Sequence, residues 1–192
     1  MSQVTITTSG SSLTVLSPYN PSFPVRAKAL GGKWDAGRKA WVFDARDEAR
    51  VRDLCQQVYG EGGTSDAQAD LVTVRLRAAK EVSEWQEGLF CCGRQIASAT
   101  GRDSGARLGG GVVLLAGAVD SGGSVKNWVT KATAGTEVEI KDLPRPALEN
   151  VSAGWEIVEI TEQTPATPDR DALVAERERL VSRIAEIDAL LA

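Results

Sequence analysis

The sequence predicts an α+β protein in three pieces: a small N-terminal ββαββα unit, a central and mostly β unit, and a C-terminal coiled-coil-like helix. Three observations carry this reading. The first sixty residues alternate two-residue apolar periods with one i, i+3, i+4, i+7 stripe, the signatures of strands and of an amphipathic helix. The next ninety break into short apolar runs separated by Gly and Asp turns. The last twenty-five carry apolar residues at heptad spacing.

In the first piece, residues 1–60, Val4 and Ile6 alternate with Thr5 and Thr7. Thr8-Ser9-Gly10-Ser11 supplies a turn, and Leu13 and Val15 resume the alternation, which predicts a β-hairpin. Asn20-Pro21 ends the strand. Ser22 is the expected cap of a short helix over 23–30, Pro24 is tolerated in its first turn, and Gly31 is placed to stop it in the left-handed conformation. Lys33-Trp34 and Ala40-Trp41-Val42-Phe43 read as paired strands around Asp35-Ala36-Gly37-Arg38-Lys39. Asp44 is the expected cap of a second helix, with Asp47 and Glu48 in its positive first turn. Val51, Leu54, Cys55 and Val58 form the buried stripe of that helix, and Gly60 ends it.

Residues 61–70 are polar and glycine-containing and read as a linker. The second piece, 71–160, has candidate strands at 71–77, 89–92, 95–99, 112–116, 125–130, 136–141 and 155–160, which suggest a small barrel or sandwich. Residues 78–87 read as a helical insert with Trp85 as its core contact. Residues 161–167 form a Thr/Pro-rich spacer. A helix is expected over 168–192, with Thr167 as cap and Pro168 at the first helical position. Leu173, Leu180 and Ile187 recur every seven residues, and Arg177, Ile184 and Leu191 fill the alternate seam position. This helix either pairs two copies of the chain as a homodimer or packs back onto the central unit.

Composition removes several function classes. No apolar run reaches the length of a membrane span and the N-terminus lacks a signal-peptide shape, so a cytoplasmic location and no membrane partner are expected. The chain has no histidine, which removes the commonest general base and the usual Ser/His and Cys/His systems. Cys55, Cys91 and Cys92 match neither a disulfide framework nor a zinc pattern; the adjacent pair is expected on a strand, one facing in and one out. No metal or other cofactor is expected, and the chain reads as non-enzymatic. Asp103 and Ser104 lack a base nearby in sequence. The net charge of -4 is uneven: residues 1–60 hold eight Lys/Arg against five Asp/Glu, while the remainder is acidic.

Two candidate sites follow. Residues 26–43 interleave Trp34 and Trp41 with Lys28, Lys33, Arg38 and Lys39, the pairing of cations and aromatic faces that a nucleic-acid strand needs. The tryptophans are either core residues or contacts. The second site is the glycine-rich stretch 100–111, whose backbone N–H groups could form an anion nest beside Arg102, Ser104 and Arg107. A similar stretch at 120–128 would add Lys126 and Trp128 if both loops lie at one end of the fold. The bland reading of both is flexible interstrand loops.

Phe23-Pro24-Val25-Arg26-Ala27-Lys28-Ala29-Leu30-Gly31-Gly32-Lys33-Trp34-Asp35, followed by Lys39-Ala40-Trp41-Val42-Phe43, resembles the HARP-type module of annealing helicases. It is also similar to small domains of phage and plasmid proteins built on a Lys-x-Leu-Gly-x-x-Trp-Asp core and a second Trp. The resemblance covers residues 23–58. It implies contact with branched or single-stranded DNA, more than RNA, through Lys28, Lys33, Trp34, Arg38, Lys39 and Trp41, and a mobile-element setting. No phosphate-binding Gly-x-x-x-x-Gly-Lys-Ser/Thr loop accompanies it, so no helicase motor is implied. Three functions follow: a nucleic-acid-binding accessory protein, an inhibitor of a nucleic-acid-binding host-defence or replication complex (anti-CRISPR-like), or a nucleotide-sequestering protein.

Overall fold

The computed structural model describes residues 4–63, 70–162, 177–181, 183 and 184. Its N-terminal unit follows the predicted ββαββα order. Strands β1 (Thr5–Ser9) and β2 (Ser12–Leu16) form a hairpin, closed at Gly10 with φ +57°. Helix α1 (Ser22–Ala29), strands β3 (Lys33–Asp35) and β4 (Ala40–Asp44), and helix α2 (Glu48–Tyr59) follow. The sheet order is β1-β2-β4-β3, all antiparallel, so β3 is an edge strand.

Strand alternation puts Leu13, Val15, Trp41 and Phe43 on one face, where Phe23 and Ala27 of α1 and the Val51, Leu54, Cys55, Val58 stripe of α2 cover them. Two local expectations change. Ser22 is the first residue of α1 rather than its cap, because the Asn20 carboxamide accepts the Ser22 N–H (3.0 Å) and hydroxyl (2.7 Å). Asp44 caps a 3-10 turn (Ala45–Asp47) by accepting the Arg46 N–H, and α2 begins one turn later.

The central unit is not a closed barrel. It holds three antiparallel sheets: β10 (Val112–Ala116), β13 (Glu137–Pro144), β5 (Leu71–Ala78) and β14 (Trp155–Glu162) in that order; β11 (Val119–Gly123), β12 (Trp128–Ala132) and β6 (Val82–Trp85); and β7 (Leu89–Cys91), β8 (Arg94–Ser98) and β9 (Arg107–Leu108). They share one core built on Val72, Val74, Leu76, Ile96, Val138 and Ile140. Buried hydroxyls join the sheets. Thr130 donates to the Glu87 carbonyl (2.7 Å) and accepts the Ala99 N–H (3.0 Å), so β12 is tied to the segments flanking β7 and β8.

The expected helical insert at 78–87 is strand β6, and Trp85 is exposed instead of a core contact. Its neighbours Ala, Lys and Glu favour helix, but β12 supplies a ladder that local propensity does not show. Half of the stretch 120–128 is also strand, since residues through Gly123 pair with β12. Cys91 and Cys92 are both buried, because Cys92 leaves the strand with φ +51° and its side chain no longer alternates outward. Residues 61 and 62, read from sequence as linker, are buried. The Glu61 carboxylate accepts the Val4 N–H at 2.9 Å.

The two units meet along α2. A 3-10 turn (Arg145–Asn150) packs against that helix, and the Asn150 amide donates to the Gln57 carbonyl at 2.8 Å. Among the described residues no helix is long and apolar enough to cross a membrane.

Gly31 and Gly60 provide a controlled comparison. Both end helices at φ +78° and +74°, but a Cβ at Gly31 meets open space whereas one at Gly60 would lie 2.4 Å from the Ala147 nitrogen. Gly31→Ala is expected to cost about 1–2 kcal/mol, the left-handed penalty alone. Gly60→Ala should cost at least about 2 kcal/mol more, because the joint must also shift. Urea denaturation of the two variants checks this; equal losses would show that the joint tolerates the methyl group.

Candidate nucleic-acid interface

The segment 26–43 is held by its glycines. The Gly31 N–H bonds the Lys28 carbonyl (2.9 Å) and the Gly32 N–H bonds the Ala27 carbonyl (2.9 Å), a double-bonded helix stop. Gly32 then passes beneath Phe43: a Cβ there would sit 2.4 Å from the ring and 2.8 Å from the Ala27 oxygen. One glycine supplies the turn and the other the close approach. Together they deliver the chain into β3 at the sheet edge.

At the tip of the β3–β4 hairpin, the Asp35 carboxylate accepts the Gly37 (2.9 Å) and Arg38 (3.1 Å) N–H groups, and Lys39 closes the turn at φ +51°. Arg38 lies 3.7 Å from Asp35, an exposed pair of small energetic value. Lys28, Lys33 and Lys39 are exposed, and none has a carboxylate within salt-bridge distance among the described residues.

The tryptophans divide. They pair directly across β3 and β4, with ring centroids 5.6 Å apart and planes tilted by 59°. Trp41 is 7% exposed and packs edge-on against Phe23 at 6.1 Å, so it is core. Trp34 is 53% exposed. It stands one strand beyond the cover of the helices. A narrow cleft of about 90 Å³ runs beside it, lined by Tyr19, Phe23, Pro24, Trp34, Trp41 and Tyr59 among others.

Tyr19 is the residue that sequence reasoning missed. It is 59% exposed, its ring meets Phe90 at 6.1 Å, and its hydroxyl donates to Glu87 at 3.3 Å. Partial loss of water around the ring, then the Glu87 charge, raises its pKa. The signal was its place in Pro18-Tyr19-Asn20-Pro21, where two prolines deny the backbone a regular ladder. Strand alternation places Lys33 on the face opposite Trp34, so the basic residues do not all share the aromatic side.

The second candidate site is only partly assembled. Arg102 is engaged by its neighbour Asp103 at 2.7 Å, and the Ser104 hydroxyl is spent within its own turn, accepting the Thr100 N–H (3.0 Å) and donating its one proton to the Gly101 or the Gly105 carbonyl. The two stretches do touch: Ser121 donates to the Arg102 carbonyl (2.6 Å) and accepts the Gly105 N–H (3.0 Å). Arg107 lies exposed on β9, Lys126 in the β11–β12 turn and Trp128 half-buried at the start of β12. Of the heptad residues, Arg177, Leu180 and Ile184 are helical and exposed. Leu173, Ile187 and Leu191 lie outside the described residues.

Among the described residues no group of three or more Cys, Asp or Glu side chains is placed to hold a metal. The three cysteines are free and buried. Burial pushes Cys55 up to about 12. The hydrogen bond between the Cys91 and Cys92 sulfurs, 3.8 Å apart, holds Cys91 below the ordinary thiol range and Cys92 above it. No family model, curated protein or solved structure matches the chain.

Burial predicts that all three thiols resist Ellman's reagent at pH 8, reacting at least about 100-fold more slowly than in denaturant. One thiol reacting at the free-cysteine rate in the wild type but not in Cys91→Ala or Cys92→Ala would show that the Cys91–Cys92 pair is open to solvent.

Proposed function

We propose that this protein is a non-enzymatic nucleic-acid-binding accessory protein that takes single-stranded or branched DNA along the β3 edge. The observation that carries this reading is Trp34. More than half of its surface is exposed beside a buried aromatic partner, at a strand edge where Lys33 and Lys39 have no carboxylate within salt-bridge distance among the described residues. Leaving a large aromatic in water forgoes burial free energy of about 1.5–3 kcal/mol, and a base stacked on it recovers that contact.

The edge position resolves the split of charge and aromatic surface. A strand running along β3 meets Trp34 on one side and Lys33 on the other, with Lys39 and Arg38 at the hairpin tip. The resemblance to HARP-type modules points to the same residues. Only the N-terminal unit is basic, so binding is local, and the acidic remainder opposes any broad polyanion surface. The exposed Leu180 and Ile184 support a homodimer through the C-terminal helix, which would present two such edges.

Fluorescence anisotropy with labelled oligo(dT) and a forked duplex at about 50 mM salt tests the reading. Trp34→Ala is expected to weaken binding roughly tenfold or more. Lys33→Ala and Lys39→Ala should each reduce the salt slope by about one where the side chain meets a phosphate. Trp41→Phe should lower stability and leave affinity nearly unchanged. Absence of binding to either DNA at low salt, or full affinity in Trp34→Ala, overturns the proposal.

Leu180→Glu is expected to convert the dimer to monomer in sedimentation analysis. A wild-type chain that sediments as a monomer at every concentration removes the pairing of two edges.

A further inference from the structure

We propose that the outer edge of β14 docks an extended, basic segment of a partner protein, which adds to the central four-stranded sheet as a further strand. β14 ends the order β10-β13-β5-β14, and among the described residues no strand pairs with its outer side. Where β3 is an edge of three residues, β14 offers eight. Every residue from Glu156 to Glu162 is exposed. An open ladder of that length is what a peptide strand needs to gain its main-chain hydrogen bonds.

The second observation concerns side chains. Ile157 and Ile160 stand opposite Leu76 and Val74 of β5. Residues directly opposite in an antiparallel pair share a face, so both isoleucines belong to the face that carries the core. The bulge at Val158 makes this possible, because the extra residue returns Ile160 to the side of Ile157. Leu76 and Val74 are fully buried, yet Ile157 is 37% and Ile160 41% exposed. Past Trp155 the cover of the core therefore stops at β5. A strand beyond β14 would set its own apolar residues beside the two isoleucines and continue the core by one strand.

Charge selects the occupant. β14 carries Glu156, Glu159 and Glu162 and neither lysine nor arginine. Glu159 is engaged by Arg75 and Glu162 by Arg145, but Glu156 enters no salt bridge among the described residues. Arg77 stands opposite Glu156 and is bonded instead to Glu137 at 2.7 Å. The complementary strand thus alternates with period two, apolar toward Ile157 and Ile160 and cationic toward Glu156 and Glu159. A second copy of β14 fits less well, since it would bring three carboxylates beside three others with no cation on either strand. DNA carries the wrong charge, so this edge is separate from β3.

Anisotropy of a fluorescein-labelled peptide, acetyl-Lys-Val-Thr-Val-Lys-Val-Thr-Val-Lys amide, titrated with the full chain tests the inference. Saturable binding with a dissociation constant below about 0.5 mM is expected, with ¹⁵N shifts centred on β14 and β5. The peptide with Glu for each Lys should bind at least about tenfold more weakly. So should the peptide with Pro for each Thr, which keeps the charge and loses ladder N–H groups. Glu156→Lys, at an exposed position, is expected to weaken the basic peptide about fivefold, and Ile157→Thr/Ile160→Thr about tenfold. No binding up to about 1 mM, equal affinity for the acidic peptide, or shifts that avoid β14 overturns the proposal. Hydrogen-exchange protection of the β14 amides that rises with protein concentration in the absence of peptide gives the edge to a second copy, and also overturns it. Trp34→Ala should leave peptide affinity unaltered, so failure here is distinct from failure of DNA binding.

Discussion

The close approach of α2 to the central unit is the constraint on which the rest of the structure depends. Two glycines permit it. A Cβ on Gly60 would lie 2.4 Å from the Ala147 nitrogen, and one on Gly93 would lie 2.5 Å from the Val58 carbonyl oxygen. Both residues also sit at positive φ, at +74° and +73°, so each is required twice: for the turn and for the space. Asn150 then bridges the units, donating to the Gln57 carbonyl while its own carbonyl accepts the Cys92 N–H. Docked this way, Tyr19 comes against Phe90, and the segment 18–21 becomes part of both the aromatic cleft and an acidic one lined by Glu84 and Glu87.

That joint separates two surfaces of opposite chemistry on a small molecule. On one side the β3 edge offers an indole and two lysines, Lys33 and Lys39, that enter no salt bridge among the described residues. On the other, Glu84 and Glu87 face a cleft that repels phosphate. Tyr19 stands between them, its hydroxyl on Glu87 and its ring beside the Trp34 cleft.

Much of the N-terminal unit was legible in the sequence because its signals are local. The stripe of α2, the hairpin alternation and the stop at Gly31 each require only neighbours along the chain. What was not legible depended on distant partners. β6 reads as helix from Ala, Lys and Glu and becomes a strand because β12 lies beside it. Glu61 reads as linker and is buried because the Val4 N–H, 57 residues away, needs an acceptor. The candidate site divides along the same line. Its basic side chains had to be exposed on physical grounds alone, whereas the fates of Trp34 and Trp41 were settled by strand order, which places one in the middle of the sheet and the other at its edge.

Strand order also separates the roles of the two indoles. Trp41, on an inner strand, packs against Phe23 of α1, while Trp34, on the edge strand, leans on Trp41 and stays half exposed. A polar residue at position 34 would keep every ladder bond of β3, because side-chain identity does not enter the backbone pairing. Position 41 has no such freedom, since its ring contacts close the core. Two residues of the same type, seven apart and directly paired, thus answer to different demands. The buried one is fixed by packing against Phe23; the exposed one is not.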